Sequence, residues 1–144
     1  MALENAYRKA AAIGQQPSAV LGVDTIVALG SRIYGKPADR RAAHETLRAL
    51  QGRRHAVVSG LCLIESGDRV RTAAARTLVE FRELPEAAIE RYLDSGEWRE
   101  RAGGYAIQGR GALLVRAIEG DYLNVVGLPV AALVDLAPWL LAPR

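Results

Sequence analysis

The chain is short of cysteine, lysine, aromatic residues and long apolar runs, and most of these shortages remove a class of protein. Cys62 is the single cysteine, which excludes an intrachain disulfide and a cysteine-rich metal cluster; within the apolar LCLI it reads as core filler. No apolar run approaches the ~18 residues of a membrane span. The opening MALENAYRKAAAIG mixes charge into its apolar positions and has no signal-peptide core. These two absences predict a soluble, cytoplasmic protein with no membrane partner. Lysine is nearly missing, since Lys9 and Lys36 are the only two among 19 basic residues. The net charge of +3 is therefore carried by arginine. Those arginines, in DRRAAHETLR, GRRH and EWRERAGG, are interleaved with acids and form no basic tract, so nucleic acid is not the expected partner.

What is present suits one compact domain over residues 1–144. Half of the residues are hydrophobic and 24% are charged, enough for a real core with no low-complexity segment. Residues 2–14 have helix composition ended by Gly14, with Pro17 beyond. VLGVDTIVAL reads as a buried strand through Val20, Leu21, Val23, Ile26, Val27 and Leu29, followed by a tight turn and a short strand stopped at Pro37. Residues 39–50 set Ala42, Ala43, Leu47 and Leu50 at helical spacing. HAVVSGLCLIESGDRVRTAAARTLVEF gives two long strands around the turn SGDR. A helix from Pro85 to Ser95 turns Ile89, Tyr92 and Leu93 inward. GYAIQG and ALLVRAIEG are expected as strands, and a closing helix is expected from Pro129 to Leu141. The sum is an α/β domain, a mixed sheet with flanking helices, because the antiparallel hairpins argue against a purely parallel doubly wound sheet.

Asp24 is the residue out of place. A carboxylate inside an apolar strand is costly unless a cation or metal faces it. With Lys36 of the GKP triplet or a divalent metal beside it, such a group takes a proton from water; the plain alternative is a structural aspartate bonding backbone amides of the next turn. In GGYAIQGRGALL, glycines 103, 104, 109 and 111 surround Gln108. Glycine lets backbone approach a ligand closely, and a side-chain amide both donates and accepts, which suits a base edge or sugar hydroxyl. The segment matches neither a phosphate-binding P-loop nor a dinucleotide fingerprint. His55 opens a strand and reads as structural. His44 lies on the polar side of a helix, and Ser59 has no base or elbow that would make it a nucleophile.

Together, GVDTIVALGSRIYGKPADRRAAHETLRALQGRRHAVVSG and AGGYAIQGRGALLVRAIEGDYLNVVGLPV resemble the Maf (septum-formation) family of nucleoside triphosphate pyrophosphatases, over essentially the whole chain. The resemblance implies a homodimeric two-lobed fold of the inosine-triphosphate-pyrophosphatase type with a central cleft. It also implies hydrolysis of a nucleoside triphosphate to the monophosphate and pyrophosphate with Mg²⁺ or Mn²⁺. On it, Asp24 is the proton acceptor, Lys36 a phosphate contact, and Thr25 and Gln108 determine specificity. Arg101, within Glu100–Gly103 where the family reads DKAG, is a further phosphate contact. The form GYAIQG is that of the dTTP- and UTP-directed branch. The family's first-helix AxxKA motif is matched to ALENA, which sets Asn5 at the lysine position. No counterpart of the family's opening strand and SxSPRR loop precedes MALENA, which implies an N-terminally truncated form with an uncovered sheet edge and little activity of its own. The alternative is a non-catalytic nucleotide-binding or regulatory protein.

Overall fold

A computed structural model describes residues 1–14, 18–66 and 69–142. Helix α1 (Ala2–Ala11) precedes strands β1 (Val20–Leu29) and β2 (Arg32–Tyr34), helix α2 (Arg40–Leu50), and the long strands β3 (Arg54–Glu65) and β4 (Arg69–Phe81). Helix α3 (Glu86–Asp94) leads through 3₁₀ turns at Ala102–Gly104 and Gly109–Leu114 to β5 (Val115–Glu119), α4 (Tyr122–Val126), α5 (Val130–Leu136) and a last 3₁₀ turn, Pro138–Leu141.

The five strands form one sheet in the order β2-β1-β3-β4-β5. All four pairings are antiparallel, which corrects the expectation of a mixed sheet. The α/β composition and flanking helices stand. The predicted β3–β4 hairpin is present in full register from Arg54↔Glu80 to Glu65↔Arg69, although Gly67 and Asp68 of its SGDR turn lie outside the described residues, as does Pro17.

Alternation along β1 and β3 separates two faces. Val27, Val57, Val79 and Phe81 point into the main core with Leu47, Leu50, Ile89 and Leu93 of α2 and α3. The opposite face carries Gly22 and Gly60, and α1 lies against it. A Cβ on Gly22 would stand 2.0 Å from the Ala6 carbonyl oxygen, and one on Gly60 2.6 Å from the backbone at Ala2 and Leu3. Ala2, Ala6 and Ala10, one turn apart and all buried, complete this small-on-small contact. Helix α2 starts where Asp39 accepts the Ala42 amide at 2.8 Å, an N-cap worth about 1 kcal/mol.

Only Gly22 and Val27 of β1 are fully buried, so the strand is half-covered where a buried one was predicted. The reason lies in the pairing. Strand β2 covers β1 only at Val27–Leu29, so among the described residues no strand covers the outer edge of residues 20–26. Three further expectations fail locally. GYAIQG is no strand, because glycines 103, 104 and 109 take φ of +72°, +73° and +79° and curl the segment. ALLVRAIEG pairs only from Val115. The closing helix breaks at Ala137 ahead of Pro138, since a residue before proline is pushed out of the helical region. Helix α4, capped by Asp121 on the Leu123 amide at 2.8 Å, has no counterpart among the elements the sequence predicts.

Candidate active site

A cleft of about 620 Å³ opens where β1 loses its neighbour. Three consecutive β1 residues, Val23, Asp24 and Thr25, line it. Side chains alternate across a strand, so the cleft follows the strand's free edge as well as one face. Lys36, Arg101 and Gln108 also line it, so all five residues singled out from the sequence meet in one cavity. Two local contacts bring them together. The Gly103 amide donates to the Gly35 carbonyl at 3.1 Å, tying the GKP turn to the 101–104 turn. Gly103, with φ of +72°, lies so close to Val27 that a Cβ would meet the valine methyl at 2.8 Å.

Asp24 is held by α1. Lys9 Nζ donates to Asp24 Oδ1 at 2.6 Å and to the Val23 carbonyl at 3.0 Å, while Asn5 Nδ2 donates to Asp24 Oδ2 at 3.0 Å. The cation beside the carboxylate is therefore Lys9; Lys36 reaches Glu100 instead, at 3.4 Å. This corrects the matching of ALENA to the family's lysine motif. The pattern Ala-x-x-Lys-Ala stands one turn later as AYRKA, Ala6–Ala10. Its signal was available: Asn5 and Lys9 are four apart and share a helix face. Each Asp24 oxygen still has a lone pair to offer water.

Thr25 shares a 2.8 Å hydrogen bond with Ser59, its partner across the β1–β3 ladder. Ser59 is fully buried there, in keeping with a structural role. Two acidic residues complete the cleft wall: Glu97, which no sequence motif marks, and Glu100, the acid of the segment matched to DKAG. Glu97 accepts the backbone amides of Arg110 and Gly111. Glu100 adopts φ of +59°, the left-handed region that costs a non-glycine residue roughly 1–2 kcal/mol and recurs at functional sites.

Beneath the cleft, His55 is 1% exposed and its Nε2 pairs with the Tyr105 hydroxyl at 2.7 Å, while Nδ1 has no partner. Burial lowers the imidazole to about 4, so it stays neutral, and burial also raises the Tyr105 phenol well above its ordinary value. His55, Phe81 and Tyr105 stack edge to face in a structural cluster. Cys62 is buried as core filler, as expected.

The donors suited to a divalent cation in the cleft are the carboxylates of Asp24 and Glu100, since that of Glu97 is taken up by the Arg110 and Gly111 amides. These are hard oxygen ligands of the kind that Mg²⁺ or Mn²⁺ takes one or two at a time alongside substrate phosphates. Among the described residues, a tighter convergence lies outside the cleft, where His44 meets Glu86 and Glu90 instead of being simply solvated. Arg40 already balances that cluster, with its guanidinium 2.6 Å from Glu90 and 2.9 Å from Asp94.

An α/β domain with a carboxylate and several cations beside a sheet edge that no strand covers among the described residues, facing a glycine-rich loop that presents an amide, is built to hold a small anionic ligand. The chain belongs to the Maf family: the family model described as Maf-like protein matches residues 1–138. It is similar to the dTTP/UTP pyrophosphatase of Pyrococcus furiosus, with 50% identity over 117 residues, 81% of this chain and 61% of that protein. A protein of the same name from Pelotomaculum thermopropionicum is 44% identical over 91% of this chain and 70% of its own length. A third, from Pyrococcus abyssi, is 41% identical over 99% and 77%. The chain thus spans less than two thirds of the Pyrococcus furiosus relative it matches.

Proposed function

We propose that the chain is a nucleoside triphosphate pyrophosphatase that hydrolyses dTTP and UTP to the monophosphate and pyrophosphate. The observation that carries this reading is the meeting of Asp24, Lys36, Arg101 and Gln108 in one cleft, in a chain whose relatives are named for that activity. Asp24 accepts the proton of the water that attacks the α-phosphorus as pyrophosphate leaves. Lys9 and Asn5 fix the orientation of its carboxylate, since each donates to a different oxygen. Lys36 and Arg101 neutralise the phosphate oxygens, and Gln108 and Thr25 select the base and sugar. A divalent cation such as Mg²⁺ or Mn²⁺ would take its protein ligands from the carboxylates of Asp24 and Glu100 on the cleft wall and would supply charge neutralisation to the phosphates.

The reading carries with it the two-lobed inosine-triphosphate-pyrophosphatase arrangement, a homodimer and a cytoplasmic setting. Among the described residues no helix is long and apolar enough to cross a membrane. The test is pyrophosphate release from dTTP, UTP, CTP, GTP and ATP with added Mg²⁺ or Mn²⁺. The two pyrimidine substrates dTTP and UTP should lead. Asp24→Asn, which keeps the volume and removes the proton acceptor, should lower turnover roughly 10²–10⁴-fold with the fold intact. Near-normal turnover in that variant refutes the role of Asp24; equal rates on all five nucleotides refute the role of Gln108.

A further inference from the structure

The loop that carries Gln108 is closed tightly on itself and pinned from three sides. A Cβ on Gly111 would lie 1.7 Å from the Ala106 carbonyl oxygen, so the two ends of the curl touch. Tyr105 is tied to His55 at 2.7 Å, and the Ala106 amide donates to the Tyr92 hydroxyl at 3.0 Å. Both anchors come from the buried core and hold the incoming end. At the outgoing end, the side-chain hydrogen bonds among the described residues are those accepted by Glu97, on the cleft wall. The Arg110 amide lies 3.1 Å from each of its carboxylate oxygens, and the Gly111 amide 3.3 Å from Oε1. Gly109 makes room for this: its φ is +79°, and a Cβ there would press on the Glu97 carboxylate at 3.0 Å. Between the two fixed ends, Gln108 is left exposed at the tip.

We propose that Glu97 is a positioning residue that sets nucleotide selectivity, clamping the Arg110 and Gly111 amides so that Gln108 enters the cleft at one angle. The proposal rests on Gln108 being the group that meets the base. Two consequences follow from its chemistry. A side-chain amide discriminates only while its donor and acceptor ends are held in register with the base edge, because a misaligned partner forfeits the hydrogen bond. Two successive amides also form a concavity that takes anions. With the Glu97 carboxylate seated in it, the phosphate chain is turned away from the Gln108 end, towards Lys9, Lys36 and Arg101. Glu97 thereby fixes which end of a triphosphate faces which wall.

Glu97→Ala removes the clamp and Glu97→Gln keeps one acceptor. Two readouts are taken on the whole chain: hydrogen exchange at the Arg110 and Gly111 amides, and the ratio of dTTP to GTP affinity by calorimetry. The alanine variant should speed exchange at both amides and cut the affinity ratio by on the order of tenfold. The glutamine variant should fall between, and circular dichroism should be unchanged. If alanine leaves the amides protected, the clamp is disproved; if it frees them and the ratio stands, the selectivity role is disproved. Should the alanine variant not fold, glutamine decides on the same two readouts. Unaltered protein with protected amides and no preference for dTTP overturns the reading of Gln108, and with it the selectivity role, while the clamp remains as structure.

Discussion

Asp24 and His55 show opposite ways of placing an ionisable group inside a fold. Asp24 keeps 15% of its side chain exposed and collects donors from Lys9 and Asn5, which equips it for chemistry. His55 is sealed among aromatic rings, and the Tyr105 hydroxyl is the one hydrogen-bond partner of its side chain among the described residues. Its imidazole has a folded value of about 4 against 6.5 for the free group. The unfolded chain takes up a proton as pH drops below about 6.5, and the fold refuses that proton until about 4. The contribution of neutral His55 is therefore fully present above that window and is lost on acidification through it. A depression of this size corresponds to roughly 3 kcal/mol at most. Thermal unfolding followed from pH 7 to pH 4 should show the melting temperature falling, and His55→Gln should flatten the slope across that range. An unchanged slope in the variant would assign the acid lability to other groups.

The elements matter through how closely they approach. Helix α1 delivers Lys9 and Asn5 to Asp24 only because Gly22 and Gly60 let its backbone sit on the sheet. Gly22→Ala must push the helix outward, since the added carbon would stand 2.0 Å from the Ala6 carbonyl oxygen. Overpacking of this kind costs about 1–3 kcal/mol, read from urea unfolding, and it should weaken the Lys9–Asp24 pair and any turnover with it. Gly35→Ala, where a Cβ meets nothing within 4 Å, is the control and should change stability by less than about 0.5 kcal/mol. Equal stability in the two variants would mean that α1 is not seated as described. This also explains what the sequence could and could not tell. The β3–β4 hairpin and helices α2 and α3 were legible because their apolar periods are long and their ends are marked by Asp39, Pro85 and Gly96. GYAIQG misled because alternation over six residues looks like a strand, whereas positive φ at its glycines decides otherwise. The cleft residues Asp24, Thr25, Lys36, Arg101 and Gln108 were found through motifs, but Lys9 and Glu97 were not. Lys9 did carry a local signal, the AYRKA motif that sets it four residues on from Asn5, whereas the part Glu97 plays depends on which loop lies opposite, and no local pattern encodes that.

The C-terminal part of the molecule exposes a succession of apolar side chains. Within nine residues of α4 and the start of α5, Tyr122, Leu123, Leu128 and Val130 are each 38% exposed or more, and Trp139, Leu140 and Leu141 follow at 46%, 56% and 75%. Clustered apolar side chains of this kind mark contact surfaces more often than isolated ones do. The same stretch supplies Val125, Val126 and Gly127 to the cleft wall, so α4 adjoins both the exposed apolar residues and the cleft. The outer edge of β1 over residues 20–26, which no strand covers among the described residues, is a second place for chains to pair. Sedimentation equilibrium should therefore give a particle of about twice the 15.5 kDa chain. Placing charge on the patch, with Leu123→Glu and Leu128→Glu together, should return it to the chain mass without changing the Asp24 contacts. If the double variant still sediments as a dimer, the pairing runs through the β1 edge instead, and a lysine in place of Val20 should break it. A monomer at concentrations of about 100 μM in the unaltered protein, where even weak association of this size is populated, would show that neither surface joins two copies.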